Sequence, residues 1–261
     1  MKTEKKIGIL AILNFMKKGI FYAVSTGAGN PELLTLQAIR TLRECEIIFY
    51  PKSEKNTIAL DSLASTAEID LSKKLLVPCS FSMTSDKEKS DSEYKKIAGE
   101  CAELLQLQKN VAMVSIGDVS LYSTAARTAR HLQESGFEVK FIAGVNSFSE
   151  AACQAAISLC EKDEALSVIP ADSFFTTGKL EDALNEAGTK VLMKMGRHLK
   201  EIIQILQKLN LIKNSILVQK ASRSEQKIFK GEEILNMSET DFEEAYLSVL
   251  IVKKTKTNQS N

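Results

Sequence analysis

Four short segments of the sequence place glycine and small polar residues between a strand-like apolar run and a helical stretch. They are, in chain order, residues 25–31, 116–123, 143–149 and 195–198. In open α/β sheets a ligand binds outside the carboxyl ends of the strands, where small residues let it approach backbone N–H and C=O groups. One such segment alone is ordinary turn sequence. Four in succession predict a shared ligand-binding cleft.

The first segment, which contains Gly27 and Gly29, does not have the pattern of a phosphate loop. A dinucleotide fingerprint needs a third glycine at position 32, where this chain has Glu32. The Gly-Lys-Ser/Thr ending of a mononucleotide phosphate loop is also absent from the sequence. The sequence therefore predicts an adenosine-like ligand without a phosphate chain.

Strand-like runs that alternate with helical periodicity must position these segments. Strands are predicted over residues 20–24, 46–50, 111–116, 137–141, 191–195, 216–219 and 246–252. Helices are predicted over residues 94–106, 123–134, 144–159 and 199–209, and after Asn30, which can cap a helix that begins at Pro31. This alternation is typical of a layered α/β protein.

The length of 261 residues predicts two domains of ordinary size. We expect an N-terminal α/β domain over residues 16–118 and a C-terminal α/β domain over residues 119–255. Residues 1–15 are predicted to be an extension outside the fold. A signal peptide is the alternative, but their apolar stretch is short and no signal-peptide cleavage site follows it. Residues 256–261 are predicted to be a frayed tail.

Charge, cysteine content and hydropathy exclude several classes of function. Lys+Arg number 34 and Asp+Glu number 33, and the resulting net charge of +1 argues against a protein that coats nucleic acid. No apolar run approaches the ~20 residues needed to cross a bilayer. The five cysteines form no CxxC pair and the two histidines lie far apart. We therefore expect reduced thiols, a cytoplasmic location and no metal site.

The motifs carry a resemblance to a known family. Residues 24–38, VSTGAGNPELLTLQA, resemble the opening motif of the tetrapyrrole methylases, approximately Val-Gly-x-Gly-Pro-Gly-Asp-Pro-Glu-Leu-Leu-Thr-x-x-Ala. Residues 116–123 resemble the Gly-Asp-Pro-x-x-Tyr-Ser segment of that family, and residues 142–149 resemble its Pro-Gly-Val-Ser-Ser segment. The order and spacing agree over residues 20–253.

Further segments resemble the branch of the family that methylates C20 of precorrin-2 or cobalt-factor II in cobalamin biosynthesis. They are residues 81–86, 121–124, 147–152, 191–197 and 246–252. The resemblance implies two αβα domains with the ligand cleft between them, S-adenosylmethionine as methyl donor and a tetrapyrrole as acceptor. It also implies a homodimer. The net charge and the lack of a long apolar run predict that neither nucleic acid nor a membrane is a partner.

Site residues follow from the same resemblance by motif. The implied donor-binding residues are Ala28, Ile116, Gly117, Asp118, Leu121, Asn146, Ser147, Met195 and Ala221. The candidate residues for binding the carboxylates of the acceptor are Arg127, Arg130, Arg197 and Arg223. Tyr122 is one candidate path for the proton of the acceptor carbon; a carboxylate or water are the others. From residue type alone, Asp118 could instead cap the following helix, and Met195 could be a core residue.

Five positions depart from the family pattern. Ser25 stands where glycine is usual, Ala28, Val119 and Ala143 stand where proline is usual, and Asn30 replaces an aspartate. Each loosens a turn, at a cost of about 0.5–1 kcal/mol. A catalytically inactive binding subunit is therefore one alternative. The others are a tetrapyrrole methylase of different carbon specificity and a methyltransferase of the same fold that acts on protein or RNA.

Overall fold

The computed structural model describes residues 18–52, 57–82 and 87–253, without the side chain of Lys87. The predicted extension over residues 1–15 and the predicted tail over 256–261 lie outside the described residues. The chain divides into two compact units, of which the first ends at Asn146 and the second begins at Ser147. Each unit is an α/β structure with its own five-stranded sheet.

The first unit is built on a parallel sheet. Its strands are β1 (Phe21–Ser25), β2 (Ile47–Pro51), β3 (Leu75–Cys79), β4 (Val111–Ser115) and β5 (Val139–Ile142). The strand order is β3-β2-β4-β1-β5, and every pairing is parallel. All residues of β4 are buried, as expected for the central strand of a sheet that is covered on both faces.

Helices cover both faces of this sheet. They are α1 (Leu36–Glu44), α2 (Ile58–Ala64), α3 (Lys87–Gln106) and α4 (Thr124–Glu134). Leu42 of α1 and Leu63 of α2 belong to one apolar cluster, whereas Leu105 of α3 and Leu132 of α4 belong to a second cluster. The helices therefore contribute to two separate layers of the core.

The helix predicted from Pro31 begins later than expected. Asn30 caps only a short 3-10 turn, Pro31–Leu33, by accepting a hydrogen bond from the N–H of Glu32 at 2.9 Å. The regular helix α1 then begins at Leu36, where the Thr35 hydroxyl accepts from the N–H of Ala38 at 3.1 Å. A second capping residue explains the interruption, because an N-cap residue leaves the helical conformation.

The sequence predicted a domain boundary after Asp118. In the structure the first unit instead ends at Asn146. The reason is that β5 pairs with β1, with Phe21 opposite Val139. That pairing holds α4 and β5 in the first unit. No linker composition marks the true division, so the sequence did not reveal it.

The second unit contains a mixed sheet. Its strands are β6 (Leu166–Pro170), β7 (Thr189–Met193), β8 (Ser215–Gln219), β9 (Lys227–Lys230) and β10 (Ser248–Val252), in the order β6-β7-β10-β8-β9. Only β6 and β7 are parallel among these pairs of described strands. The helices are α5 (Ser147–Gln154), α6 (Ala171–Thr176), α7 (Leu180–Asn185), α8 (Leu199–Lys208) and α9 (Glu239–Glu243). Among the described helices of both units, none combines the length and the apolar character that crossing a bilayer requires.

Asp241 gives the second unit a testable acid sensitivity. Its carboxylate binds the Lys227 ammonium at 2.7 Å and accepts hydrogen bonds from the N–H and the hydroxyl of Ser238, the residue that caps α9. These bonds, that to Lys227 foremost, lower the pKa of Asp241 to about 2. A carboxyl whose pKa falls on folding stabilises the protein above its unfolded pKa and loses that effect as the pH falls. We expect Asp241→Asn to lower the Tm at pH 7, and the difference to narrow below about pH 4; a constant difference in thermal unfolding would contradict this role.

Candidate active site

Strand order brings three of the four predicted segments to one edge of the first sheet. In that sheet β1 lies between β4 and β5 and is parallel to both, so the three carboxyl ends are neighbours. From β1 the chain continues to β2, toward one edge of the sheet, and from β4 it continues to β5, at the opposite edge. Ligands of open α/β proteins bind where the strand order reverses in this way. We call residues 25–31, 116–123 and 143–146 the first, second and third corner.

Backbone hydrogen bonds join the first corner to the second. The N–H of Gly117 donates to the carbonyl of Gly27 at 2.6 Å, and the N–H of Thr26 donates to the carbonyl of Ser115 at 2.9 Å. Gly27 and Gly117 have φ angles of +70° and +76°, a region that glycine adopts without steric cost. The two glycines that the sequence suggested for approach to a ligand thus also let the two corners approach each other.

Asp118 joins the second corner to the third. One oxygen of its buried carboxylate accepts the N–H of Gly144 at 2.7 Å. The other accepts the N–H of Ser120 at 2.8 Å and also the Ser120 hydroxyl. Burial alone would raise the pKa of Asp118, but the hydrogen bonds from Ser120 and Gly144 together outweigh it and lower the pKa. The carboxylate is therefore ionised and fully engaged within the first unit.

The alternative reading of Asp118 as a helix cap is wrong. Ser123 caps α4, because its hydroxyl accepts from the N–H of Ala125 at 3.1 Å. Ile116 and Leu121 flank the Asp118 turn, and the N–H of Leu121 donates to the carbonyl of Asp118 at 3.2 Å. Ala28 is buried in the first corner. Together with Gly117 and Asn146, six of the nine predicted donor-binding residues thus lie within the three corners.

Tyr122 lies at the end of the second corner in a strained conformation. Its φ angle is +51°, which non-glycine residues rarely adopt. The residue is 44% exposed. Partial desolvation raises the pKa of Tyr122 above its ordinary value, so its phenolate is scarce at neutral pH. Tyr122 is therefore better suited to pass on a proton as a neutral hydroxyl than to act as a base.

The structure places Arg127 and Arg130 against α3. The Arg127 guanidinium lies 4.0 Å from the ring centroid of Tyr94 and donates to the Ser90 hydroxyl at 3.2 Å. Arg130 donates to the Asp91 carboxylate at 2.9 Å. Both side chains join α4 to α3, so binding of substrate carboxylates by them would require these contacts to open. Their role in substrate binding stays a prediction.

The fourth predicted segment belongs to the second unit. It follows β7, and both Lys194 and Gly196 have positive φ angles, +54° and +56°. Met195 is buried in a core cluster with Leu199 and Ile202, which is the core role considered as its alternative. Arg197 is exposed in the short turn that follows. Contact of Met195 with a methyl donor stays a prediction.

Ala221 lies in a constrained turn after β8. Lys220 and Ser222 on either side of it have φ angles of +48° and +62°. Buried Glu150 on α5 accepts hydrogen bonds from the Ser222 hydroxyl and, at 2.8 Å, from the side-chain amide of Gln154. Arg223 follows, with its N–H bonded to the carbonyl of Lys220 at 3.0 Å.

Glu150 is a buried site residue that was not predicted from the sequence. The signal was present, because a single carboxylate precedes Ala151 and Ala152 in a helix of small residues, and a buried charge there needs donors. Those donors are Ser222, far along the chain, and Gln154, one helical turn away.

Asn146 and Ser147 lie where the chain passes from the first unit to the second, and Ser147 begins α5.

Removal of the Ser222 hydroxyl tests this turn. We expect Ser222→Ala to lower the free energy of unfolding by about 1–3 kcal/mol, because the buried Glu150 carboxylate loses a donor. Ser224→Ala is the matched control, since Ser224 donates to the exposed Glu225 at 2.7 Å, and we expect it to cost less than about 0.5 kcal/mol. Urea unfolding measures both. Equal losses in the two variants would show that Glu150 does not depend on Ser222.

The three corners suit a cationic ligand better than a phosphate. They contain no lysine or arginine, and their one carboxylate is that of Asp118. Backbone carbonyls, small side chains and one buried negative charge favour a sulfonium, whereas phosphate sites present free N–H groups or cations. Among the described residues, no group of three or more His, Cys, Asp or Glu side chains is placed to hold a metal ion.

The fold is an α/β fold in which turns without the pattern of a phosphate loop follow neighbouring strands of the first sheet. The family model of the Tetrapyrrole (Corrin/Porphyrin) Methylases matches residues 21–233. The chain belongs to this family, as the motif resemblance predicted.

Individual relatives agree with the family assignment. The probable cobalt-precorrin-2 C(20)-methyltransferase of Methanocaldococcus jannaschii is 33% identical over 90% of this chain and 96% of its own length. The cobalt-precorrin-2 C(20)-methyltransferase of Salmonella typhimurium is 27% identical over 90% of this chain and 97% of its own length. The fold is also that of uroporphyrin-III C-methyl transferase from Thermus thermophilus, solved with S-adenyl homocysteine: TM-score 0.59, 17% identity, and coverage of 90% of this chain and 98% of that one.

Proposed function

We propose that this protein is an S-adenosylmethionine-dependent methyltransferase that methylates C20 of precorrin-2 or cobalt-factor II in cobalamin biosynthesis. Two relatives that it matches over almost their whole length bear C(20)-methyltransferase names. The structural observation that carries the proposal is the joining of three cation-free corners, the first to the second by backbone hydrogen bonds and the second to the third by the buried Asp118 carboxylate. That arrangement offers a rigid edge for the methyl donor.

The bound donor supplies a methyl group that its sulfonium makes electrophilic. An electron pair of the acceptor carbon forms the new C–C bond as the S–C bond breaks, and that carbon loses a proton. The protein must hold the reacting atoms about 3–3.5 Å apart and in line, and it must keep water away. Asp118 contributes by fixing the backbone of the second and third corners, because its oxygens bind Ser120 and Gly144.

We propose that the donor is bound by the residues that the family motifs imply. They are Ala28, Ile116, Gly117, Asp118, Leu121, Asn146, Ser147, Met195 and Ala221. Ala28, Gly117 and Leu121 have support from the joined corners. Arg197 and Arg223 are proposed to bind substrate carboxylates, since guanidinium groups bind them bidentately.

Tyr122 is proposed to pass the proton of the acceptor carbon to water. We expect Tyr122→Phe to lower kcat by roughly 10² while KM for S-adenosylmethionine changes little, because only proton transfer is affected. Tyr22→Phe is the control: burial raises the pKa of Tyr22 as well, but it lies within β1. Steady-state kinetics of both variants decide the matter. Unchanged turnover in Tyr122→Phe would leave a carboxylate or water as the proton acceptor.

Calorimetry followed by a methylation assay tests the proposed function. The full chain should bind S-adenosylmethionine and transfer its methyl group to precorrin-2 or cobalt-factor II. Binding without transfer would favour the inactive binding subunit. Transfer to protein or RNA in place of a tetrapyrrole would favour the alternative within the same fold. Absence of binding would reject the proposal.

We further propose that the protein works in the cytoplasm as a homodimer, without a nucleic-acid or membrane partner. The near balance of charges supports the exclusion of nucleic acid. Closed two-fold symmetry is the commonest arrangement of soluble oligomers. Light scattering at several concentrations should give twice the chain mass of 28.8 kDa, and a single-chain mass would reject the homodimer.

A further inference from the structure

Ser25 lies where all three corners meet. It is the last residue of β1 and is buried. Its hydroxyl donates to the carbonyl of Ile142, at the end of β5, at 2.7 Å. The same oxygen accepts the N–H of Val119, in the second corner, at 2.9 Å. One hydroxyl group therefore connects the ends of three neighbouring strands.

Gly144 makes room for this arrangement. A Cβ at position 144 would lie 2.3 Å from the Cβ of Ser25 and 3.0 Å from the carbonyl oxygen of Gly117. Two non-bonded carbon atoms cannot lie 2.3 Å apart, so the backbone would have to shift. The Ser25 side chain thus fills space that only glycine at position 144 leaves open. Ser25 is therefore a buried residue that packs against Gly144.

The two departures at positions 25 and 119 explain each other. The family motif has glycine at the first position and proline at the second. Proline has no N–H, so a protein with that motif needs no acceptor there. Val119 has an N–H, and Val119 is buried. A buried N–H requires a partner, and the Ser25 hydroxyl, which glycine would lack, is that partner.

We infer that Ser25 and Val119 form a coupled pair in which a hydrogen bond replaces the rigidity of the motif proline, and that Ser25 is a positioning residue for the methyl-donor site. The donor-binding part of this inference rests on the proposed function. The coupling itself does not, because it concerns only the packing of the first unit. Ser25 acts through the backbone of the second and third corners and not by contact with the reacting atoms.

A double-mutant cycle tests the pair. Ser25→Gly leaves the Val119 N–H without its acceptor, and Val119→Pro leaves the Ser25 hydroxyl without a donor and introduces a ring beside it. We expect each single variant to weaken S-adenosylmethionine binding about ten-fold. We expect the double variant, which restores the motif pair, to lie within about three-fold of the parent. Isothermal calorimetry gives the Kd, and thermal unfolding gives the Tm of the same four proteins.

The outcomes separate this inference from the proposed function. A Tm of the double variant above that of either single variant supports the pair, even if no variant binds S-adenosylmethionine; absence of binding in the parent would reject the function alone. Additive losses in Tm would overturn the pair, whether or not the parent binds S-adenosylmethionine. Val119→Ala keeps the N–H, so its effect should simply add to that of Ser25→Gly.

Amide exchange provides a second measurement that does not depend on the folding of a proline variant. In the parent, the Val119 amide should be protected by its bond to Ser25. Ser25→Ala should speed its exchange at least ten-fold, while the Ala112 amide, within β4, should keep its rate. Equal exchange of Val119 in parent and variant would overturn the inference.

Discussion

Replacement of Asp118 by asparagine is expected to raise the Kd for S-adenosylmethionine at least ten-fold. The variant keeps an oxygen for Ser120 but presents an N–H₂ group to the N–H of Gly144, which the parent carboxylate binds at 2.7 Å. An unsatisfied buried N–H costs about 1–3 kcal/mol. The third corner would then separate from the second, and both form the proposed donor edge. Calorimetry and the Tm of the variant measure the effect.

Asp70→Asn is the matched control for Asp118→Asn. Asp70 makes the same turn with Ser72, through the N–H at 3.1 Å and the hydroxyl at 2.6 Å, but it is exposed and binds no distant backbone group among those described. Its variant should bind S-adenosylmethionine as the parent does. Because the pKa of Asp118 is lowered, the contribution of its carboxylate should persist at neutral pH and fade only below about pH 4. Equal affinities in the two variants would contradict the role of Asp118.

Gly27→Ala is expected to be the most destabilising single-methyl addition in the first corner. A Cβ at position 27 would lie 2.7 Å from the Cβ of Leu33 and 2.9 Å from its carbonyl oxygen. The positive φ angle of +70° adds its own cost of about 1–2 kcal/mol. Overpacking adds about 1–3 kcal/mol. We expect a total loss of about 2–5 kcal/mol by urea unfolding, together with loss of donor binding.

Gly136→Ala separates the two costs. Gly136 has a φ angle of +76°, and nothing lies within 4 Å of a Cβ built there. Its variant should lose only the conformational part, about 1–2 kcal/mol, and should retain donor binding. If Gly27→Ala and Gly136→Ala lost the same stability and both bound S-adenosylmethionine, close packing of the first corner would not be required for the site.

Much of the fold was predictable because buried parallel strands carry a strong local pattern. The runs that became β1, β4 and β8 are apolar, and small or polar residues follow them directly. The missed strands are of another kind. β3, β6 and β9 lie at sheet edges, where Pro78 and flanking lysines are tolerated and few residues need be apolar.

Helix ends were less predictable than helix centres. The helix predicted to run to Leu159 ends at Gln154, because Ala156 adopts a φ angle of +55° and the N–H of Ile157 returns to the carbonyl of Ala152. Glycine ordinarily marks such an ending, and this chain has none there. α3 begins at Lys87, earlier than predicted, since its first residues are charged helix formers without apolar periodicity.

The sequence predicted which segments form the candidate site, but it did not predict the hydrogen bonds that join them. The segments could be recognised because glycine and small polar residues directly follow the apolar runs in the sequence. The partners of Asp118 and Ser25 lie far away in the chain, at Gly144 and Ile142. Only the placement of β5 beside β1 brings them together. Departures from the motif that looked like losses of rigidity at Ser25 and Val119 are, in the structure, one hydrogen bond.

The position of the transferred methyl group tests the central claim most directly. The protein should be incubated with precorrin-2 and, separately, with cobalt-factor II, together with S-adenosylmethionine that carries a ¹³C-labelled methyl group. Mass spectrometry and ¹³C NMR of the product should show one added methyl group, bonded to C20. A label at any other ring carbon, or an unlabelled macrocycle from both incubations, would contradict the account.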